Sequence, residues 1–340
     1  MDDKTKPPII AIDAMGGDLA PAACVEGAVL AANSQKVHIV LAGQPEAIEA
    51  ELKKYDYPRE RLEIVPASEV ISSDEQPTAA IKQKKDSSIT VGLRLLAENR
   101  ADAFISAGST GALLTGATLL VGRLPGVLRP ALAAMLPNER GFTMLLDAGA
   151  NMDAKPSYLL QFAKMGALYM EHIMEVKNPR VGIVNVGAER EKGNILTKEA
   201  YGLLEGGGLN FVGNVEAREL SSGVCDVIVC DAFVGNIILK YTEGFAKSLF
   251  NIIKREASRS FSAKIGAFMM RGAFSETRRS FDYTEVGGAP LLGLNSLVFK
   301  AHGSSNAKAV KAAVGRCAAF AERGVVTKIR QEMENMKAET

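Results

Sequence analysis

The residues equipped for chemistry gather in six short polar blocks: Asp13 to Asp18, Ser106 to Ala112, Asp147 to Asn151, Gly187 to Asn194, Cys230 to Asn236 and His302 to Asn306. Each places carboxylates, carboxamides, hydroxyls, a lysine or a histidine beside glycine. In SAGSTGA, Gly108 and Gly111 allow close backbone approach, Ser109 and Thr110 can cap or donate, and the amides of a helix start suit an anion, phosphate first. An ordinary capped turn would use the same residues, so this block alone leaves both readings open. The same holds for Asp13, Gly16, Gly17 and Asp18. Two carboxylates beside two glycines could orient a polar ligand or bind a cation, and Asp18 could equally cap the helix from about Pro21 to Asn33. Lys240 follows Asn236 by one helical turn and can share its face. His302 is the one histidine placed in a loop, since His38 opens a strand and His172 lies within a helix.

Every block follows a short apolar run, and the runs are the elements that must position them. Ile9 to Ile12, Val37 to Ala42, Leu62 to Val65, Ala103 to Ile105, Leu132 to Leu136, Phe142 to Leu146, Val181 to Val186, Asp226 to Val229 and Leu297 to Phe299 read as strands, with Phe211 and Val212 as a further short one. Helices are expected at Pro45 to Lys54, Val91 to Asn99, Leu113 to Val121, Pro156 to about Met174, from about Thr197, and Ala307 to Glu322. The polar stretch Glu69 to Ser88 reads as a loop or a solvated helical face. Strands alternating with helices predict a mostly parallel sheet covered on both faces, with ligands in the crevice beyond the strands' carboxyl ends. All six blocks would meet there, as an enzyme of anionic substrates requires.

The composition narrows the chemistry. The chain has 340 residues, 40 basic against 39 acidic, and no Trp, which gives no global field or stacking surface for nucleic acid. Four cysteines, Cys24, Cys225, Cys230 and Cys317, follow no metal spacing and suit reduced thiols in a cytosolic setting. Neither a signal peptide nor an apolar run long enough to span a bilayer is read. No P-loop, no G-x-G-x-x-G after a strand and no G-x-S-x-G elbow occurs, so no nucleotide cofactor and no serine nucleophile is indicated. What fits is a reaction whose substrate brings its own nucleophile, such as phosphate attacking a thioester. Phosphate is already ionised and a thiol leaves readily, so oriented amides and a cation suffice.

One segment stands apart from the sheet. Phe245, Leu249, Ile252 and Ile253 repeat at helical spacing, and Phe261, Ile265, Phe268 and Met269 repeat again after a polar break. Residues 245–281 carry eight bases and two acids, net +6, against +1 for the whole chain. An amphipathic, basic helical hairpin suits an anionic membrane surface, an acidic partner or a second copy of the chain.

The blocks in this order resemble the bacterial phosphate acyltransferases. The resemblance is carried by IAIDAMGGDLAP (Ile10 to Pro21), SAGSTGA (Ser106 to Ala112), RPALAAMLP (Arg129 to Pro137), DAGANMDAKP (Asp147 to Pro156), NVGAEREKGN (Asn185 to Asn194), CDAFVGNIILK (Cys230 to Lys240), GGAPLLG (Gly287 to Gly293) and HGSSN (His302 to Asn306). Ser109 stands where many members carry Asn, and Ala232 where they carry Gly. The resemblance implies a Rossmann-like α/β fold akin to phosphotransacetylases and isocitrate or isopropylmalate dehydrogenases, and a homodimer with peripheral membrane association. It implies acyl-(acyl carrier protein) as donor, inorganic phosphate as acceptor, and a membrane glycerol-3-phosphate acyltransferase as consumer of the product.

By residue type and loop position, His302, Lys192, Lys240 and Asp231 are the expected catalytic residues, with no metal. Substrate contacts are expected from Asp13, Gly16, Gly17, Asp18, Ser106, Gly108, Ser109, Thr110, Gly111, Asp147, Asn151, Asn185, Glu189, Asn236, Ser304 and Ser305. Phe261, Ile265, Phe268 and Met269 are the expected membrane or partner contacts. The chain reads as a single α/β domain over 1–340 with the hairpin inserted at 245–281. Two alternatives stay open: acyl-CoA:phosphate transfer of the phosphotransacetylase type, and a membrane-surface binding protein without activity.

Overall fold

A computed structural model describes residues 6–280 and 287–338. Its strands build two sheets. In the first, β1 (Ile9–Asp13), β2 (His38–Gly43), β3 (Leu62–Pro66), β4 (Ala103–Ser106), β5 (Ala131–Leu132), β11 (Ala289–Leu292) and β12 (Leu297–Lys300) lie in the order β3-β2-β1-β4-β12-β11-β5. In the second, β6 (Ala134–Asn138), β7 (Gly141–Leu146), β8 (Arg180–Asn185), β9 (Asn210–Glu216) and β10 (Val227–Val229) lie in the order β6-β7-β10-β8-β9. Pairing is parallel except where β11 meets β12 and β5, and where β6 meets β7.

The expected α/β class therefore holds, but the one expected sheet is two, β11 joins the strands, and the run Leu132 to Leu136 is not one strand. It divides at Ala133, because β5 pairs with β11 in the first sheet and β6 pairs with β7 in the second. Chain continuity across that residue joins the two sheets. Ala133 N–H donates to Pro290 O, and Ala148 N–H returns to Leu132 O, which ties the junction from both sides.

Strands buried on both faces read as continuous apolar runs, and the packing shows why. On β1, Ile10 and Ile12 face Val25 and Val29 of α1 (Ala22–Ser34) and Val310 and Val314 of the helix Ala307–Glu322. Ala11 of β1 and Phe104 of β4 belong instead to the cluster of Leu93 and Leu96 on α4 (Ser88–Ala97). A Cβ on Gly92 would come within 2.0 Å of the Phe104 ring, so glycine there lets the helix lie down on the strand. Among the connections are α2 (Pro45–Leu52), α3 (Pro77–Gln83), α5 (Thr110–Gly116), α6 (Pro156–His172) and α7 (Ile195–Glu205). The Ser109 cap starts α5 three residues earlier than the apolar pattern suggests, and a π-helical turn carries it on to Val121.

The basic hairpin differs from its expected form. Its first helix is the distal half of α8, a 26-residue helix from Ala232 to Ala257 that starts at the carboxyl end of β10. Two short helices follow, α9 (Phe261–Met269) and α10 (Arg271–Ser280), and the expected boundary at Phe281 lies outside the described residues. Phe233, Ile237, Tyr241, Phe245, Leu249 and Ile252 make an exposed stripe along α8, and Phe261, Ile265, Phe268 and Met269 are exposed on α9. No helix among the described residues is long and apolar enough to cross a membrane.

Candidate active site at the junction of the sheets

A cavity of about 380 Å³ opens where the two sheets meet. Leu132, Ala134, Met135, Leu136 and Pro137 form one wall, continued by Met152 and by Leu239 of α8. Thr110, Asn236, Lys240, Glu243, Lys300, His302 and Ser305 make up the polar end of the lining. The junction at Ala133 thus builds the apolar wall. The strand ends of β4 and β12, with the start of α8, build the polar end.

His302 sits between two partners. Its Nε2 lies 3.1 Å from the Lys240 ammonium, and its Nδ1 lies 2.8 Å from the Ser304 hydroxyl. Glu243 accepts from Lys240 at 2.9 Å, and its carboxylate is 4.0 Å from the imidazole. Burial, then the Lys240 charge, hold the His302 pKa below its ordinary 6.5, so the ring is neutral at pH 7. The site therefore holds a neutral imidazole beside a cation, on an apolar channel.

Beneath the polar end lies a buried support. Ser106 donates to Asp13 Oδ2 at 2.7 Å and accepts from Gly108 N–H at 3.0 Å, while Met15 N–H donates to Asp13 Oδ1. A Cβ on Gly16 would stand 2.2 Å from that carboxylate, so only glycine fits. Burial raises the Asp13 pKa against these hydrogen bonds. Gly17 has φ +102, and Asp18 N–H donates to Gly303 O, which fastens this loop to the turn holding His302. Asp13, Gly16, Gly17, Asp18, Ser106 and Gly108 therefore lie behind the cavity wall. Gly111 is held close to Pro77 of α3, and Ser109 caps α5 through Ala112 N–H.

A second support holds the β7 end. Asp147 is fully buried and accepts from the backbone of Leu132, Gly149, Ala150 and Asn151 and from the Asn151 carboxamide. Asn151 also donates to Pro130 O. Both side chains are spent on the sheet junction, so they fix Ala148 and Gly149 in the cavity wall and do not themselves line it.

Four more of the expected site residues also lie off this cavity. Asp231 accepts from Val234 N–H at 3.0 Å as the cap of α8 and does not line the cavity, because an aspartate before a helix satisfies that helix's first amides. Asn185 is locked by Lys192 O, Val186 N–H and Asn214, and serves the loop that follows β8. Lys192 and Glu189 ride on that loop, exposed, and do not line the cavity. Ala232 takes the first position of α8 and is not among the residues with positive φ, so alanine is accommodated there. Lys300 is absent from those expectations: as the last residue of an apolar strand it reads as a flanking charge, yet it lines the cavity.

An open crevice at the junction of two mostly parallel sheets, lined both by apolar residues and by Lys240, Lys300 and His302, is where α/β folds of this kind hold their ligands. The solved structures similar to this chain have the same fold. A phosphotransacetylase from Streptococcus pyogenes superposes with a TM-score of 0.60 at 16% identity, covering 93% of this chain and 94% of that one. A branched-chain phosphotransacylase from Enterococcus faecalis V583 gives 0.57 at 13% identity, covering 93% and 99%. The profile of a family described as fatty acid synthesis protein matches residues 9–328. Relatives called phosphate acyltransferase, from Alkaliphilus oremlandii and Clostridium acetobutylicum, are each 50% identical over 327 and 329 residues, 96% of this chain and 98% and 99% of theirs. The chain belongs to this phosphate acyltransferase family, and is an acyltransferase of fatty acid synthesis.

Proposed function

We propose that the protein transfers a long acyl chain from an acyl-(acyl carrier protein) thioester to inorganic phosphate, releasing acyl phosphate for glycerophospholipid synthesis. The observation that carries this reading is that one cavity is lined both by apolar residues, Leu132 and Ala134 to Pro137, and by Lys240 and His302. The wall takes the acyl chain, and the polar end takes the phosphate and the thioester carbonyl. A phosphate oxygen attacks that carbonyl, the new O–C bond forms, the C–S bond breaks, and the electron pair leaves on sulfur. Lys240 offsets the phosphate charge, and neutral His302, steadied by Ser304, positions it by hydrogen bonding. Asn236, on the same face of α8 as Lys240, lies against the β7 loop at Gly149.

The carrier protein is the proposed donor because it is small and acidic, and the helical arm from α8 to α10 is basic. The exposed Phe261, Ile265, Phe268 and Met269 of α9 are the proposed contact with an anionic membrane, and the stripe on α8 the proposed contact with a second copy of the chain. Purified protein incubated with phosphate and either palmitoyl-(acyl carrier protein) or palmitoyl-CoA tests the reading through acyl phosphate formation. Product from the carrier-protein thioester supports it. Product from the CoA thioester alone moves the activity to the phosphotransacetylase type. Changing Phe268 and Met269 together to Ser should abolish flotation with anionic vesicles, and unchanged flotation would remove α9 as the anchor.

A further inference from the structure

Lys300 ends β12 directly opposite Ser106 of β4. Its ammonium donates to Ala107 O at 3.2 Å and to Ala301 O, one carbonyl from each of the two turns that border the polar end of the cavity. An ammonium has three N–H groups, so one remains for a ligand. The same end of the cavity presents the hydroxyls of Thr110 and Ser305, and neither has a protein partner among the described residues. A cation pinned by backbone, in a cavity also lined by two residues with unspent hydroxyls, matches a tetrahedral oxyanion.

We infer that Lys300 binds the attacking phosphate, its free N–H and charge meeting one oxygen while the Thr110 and Ser305 hydroxyls donate to others. The inference rests on the acyltransfer reading above and assigns the phosphate its place within that cavity. Lys300 keeps its proton throughout: the phosphate oxygen forms the bond to carbon, sulfur departs with the electron pair, and the lysine holds the phosphate in line. The charged groups that face it are Asp13 and Asp18 from the β1 side and Lys240 from α8. Burial pulls the Lys300 pKa down to about 8, Lys240 acts in the same direction, and Asp13 and Asp18 oppose it. Lys300 is therefore a cation at neutral pH that loses its charge in mildly alkaline solution.

Steady-state rates against phosphate concentration, at saturating palmitoyl-(acyl carrier protein), separate this role from a structural one. Lys300→Met should raise KM for phosphate by about tenfold or more, the worth of a charged hydrogen bond, and leave KM for the thioester nearly unchanged. Lys300→Arg should recover phosphate binding at pH 7. It should also remove the weakening of phosphate binding that the wild type shows above pH 8, because a guanidinium stays charged. An unchanged phosphate KM in folded Lys300→Met would overturn the inference. Should that variant not fold, an alkaline loss that persists in Lys300→Arg would overturn it equally. Titration of inorganic phosphate into wild type and Lys300→Met by calorimetry separates the two failures. Lys300-dependent phosphate binding without any acyl phosphate formation would sink the acyltransfer reading and keep the phosphate site. Turnover with a Lys300-independent phosphate KM would do the reverse.

Discussion

Replacing Gly235 by alanine should damage both stability and turnover, and a second glycine on the same helix supplies the control. A Cβ built on Gly235 stands 1.9 Å from Asp147 O, a backbone atom at the buried end of β7 that no side-chain rotation can move aside. The helix start and the β7 loop must part by about 1 Å or more before such a contact relaxes, because close-packed interiors hold no spare room. Overpacking of this kind costs about 1–3 kcal/mol or more, and the helix propensity of alanine returns about 1 kcal/mol. Because the clashing atom belongs to the backbone, the upper end of that range applies, and the net loss should be about 2 kcal/mol or more, with a few degrees off the melting temperature. The same shift moves Asn236 and Lys240 away from the cavity, and a misplacement of about 1 Å at a reacting centre can cost on the order of 100-fold in kcat. Gly244, also on α8 but exposed, has nothing within 4 Å of its built Cβ, so Gly244→Ala should be neutral or gain up to about 1 kcal/mol. Thermal melts by circular dichroism and initial rates of acyl phosphate formation read both effects. Equal melting temperature and kcat for wild type and Gly235→Ala would refute the claim that α8 is seated on the Asp147 carbonyl.

The protonation of His302 can be followed directly, since the chain has three histidines. Its folded pKa is depressed by burial and by Lys240, so Lys240→Met should move it up and Glu243→Gln further down, read from the imidazole carbon-bound proton in an NMR titration. Because the folded state resists protonation, stability should fall as pH drops from about 6.5 toward the folded pKa, and a midpoint in urea that does not change over that window would contradict the assignment. All four cysteines are buried, with burial pushing Cys24 and Cys225 up to about 12 and Cys230 and Cys317 well above the ordinary thiol value. Native protein should resist iodoacetamide at pH 7.5 with activity intact, and rapid alkylation coupled to inactivation would show an accessible thiol at the site. Ala134 is buried in the apolar wall, and Ala134→Phe should shift preference toward shorter acyl chains. Each methylene excluded should lose about fourfold in kcat/KM, and an unchanged chain-length profile would place the acyl group elsewhere.

The strand ends were legible in the sequence because strands buried on both faces leave continuous apolar runs that stop at polar loops. His302, Lys240, Asn236, Thr110 and Ser305 were readable for that reason, and all five line the cavity. The division into two sheets was hidden in one residue: nothing in the run Leu132 to Leu136 signals that Ala133 changes partners. Asp231 shows a different limit, since an aspartate before a helix looks alike whether it caps or catalyses, and only the bond to Val234 N–H decides. Lys192 and Glu189 belong to a loop as polar as the others, but sequence does not say which strand ends share a crevice. Lys300 is not legible in the sequence, because a lysine closing a strand resembles any solvated flank. Only its approach to two backbone carbonyls and its place in the cavity lining set it apart. The long α8 helix joined two features that the sequence presents separately, the Asn236–Lys240 pair and the apolar stripe through Phe245.

In the proposed reaction phosphate itself attacks the thioester, and no acyl group passes through the protein. Mixing the protein with radiolabelled palmitoyl-(acyl carrier protein), first without phosphate and then with it, tests this most directly. No label should appear on the protein, and none should exchange into added free carrier protein, until phosphate is supplied; acyl phosphate should then be the labelled product. Label bound covalently to the protein, or exchange without phosphate, would contradict it.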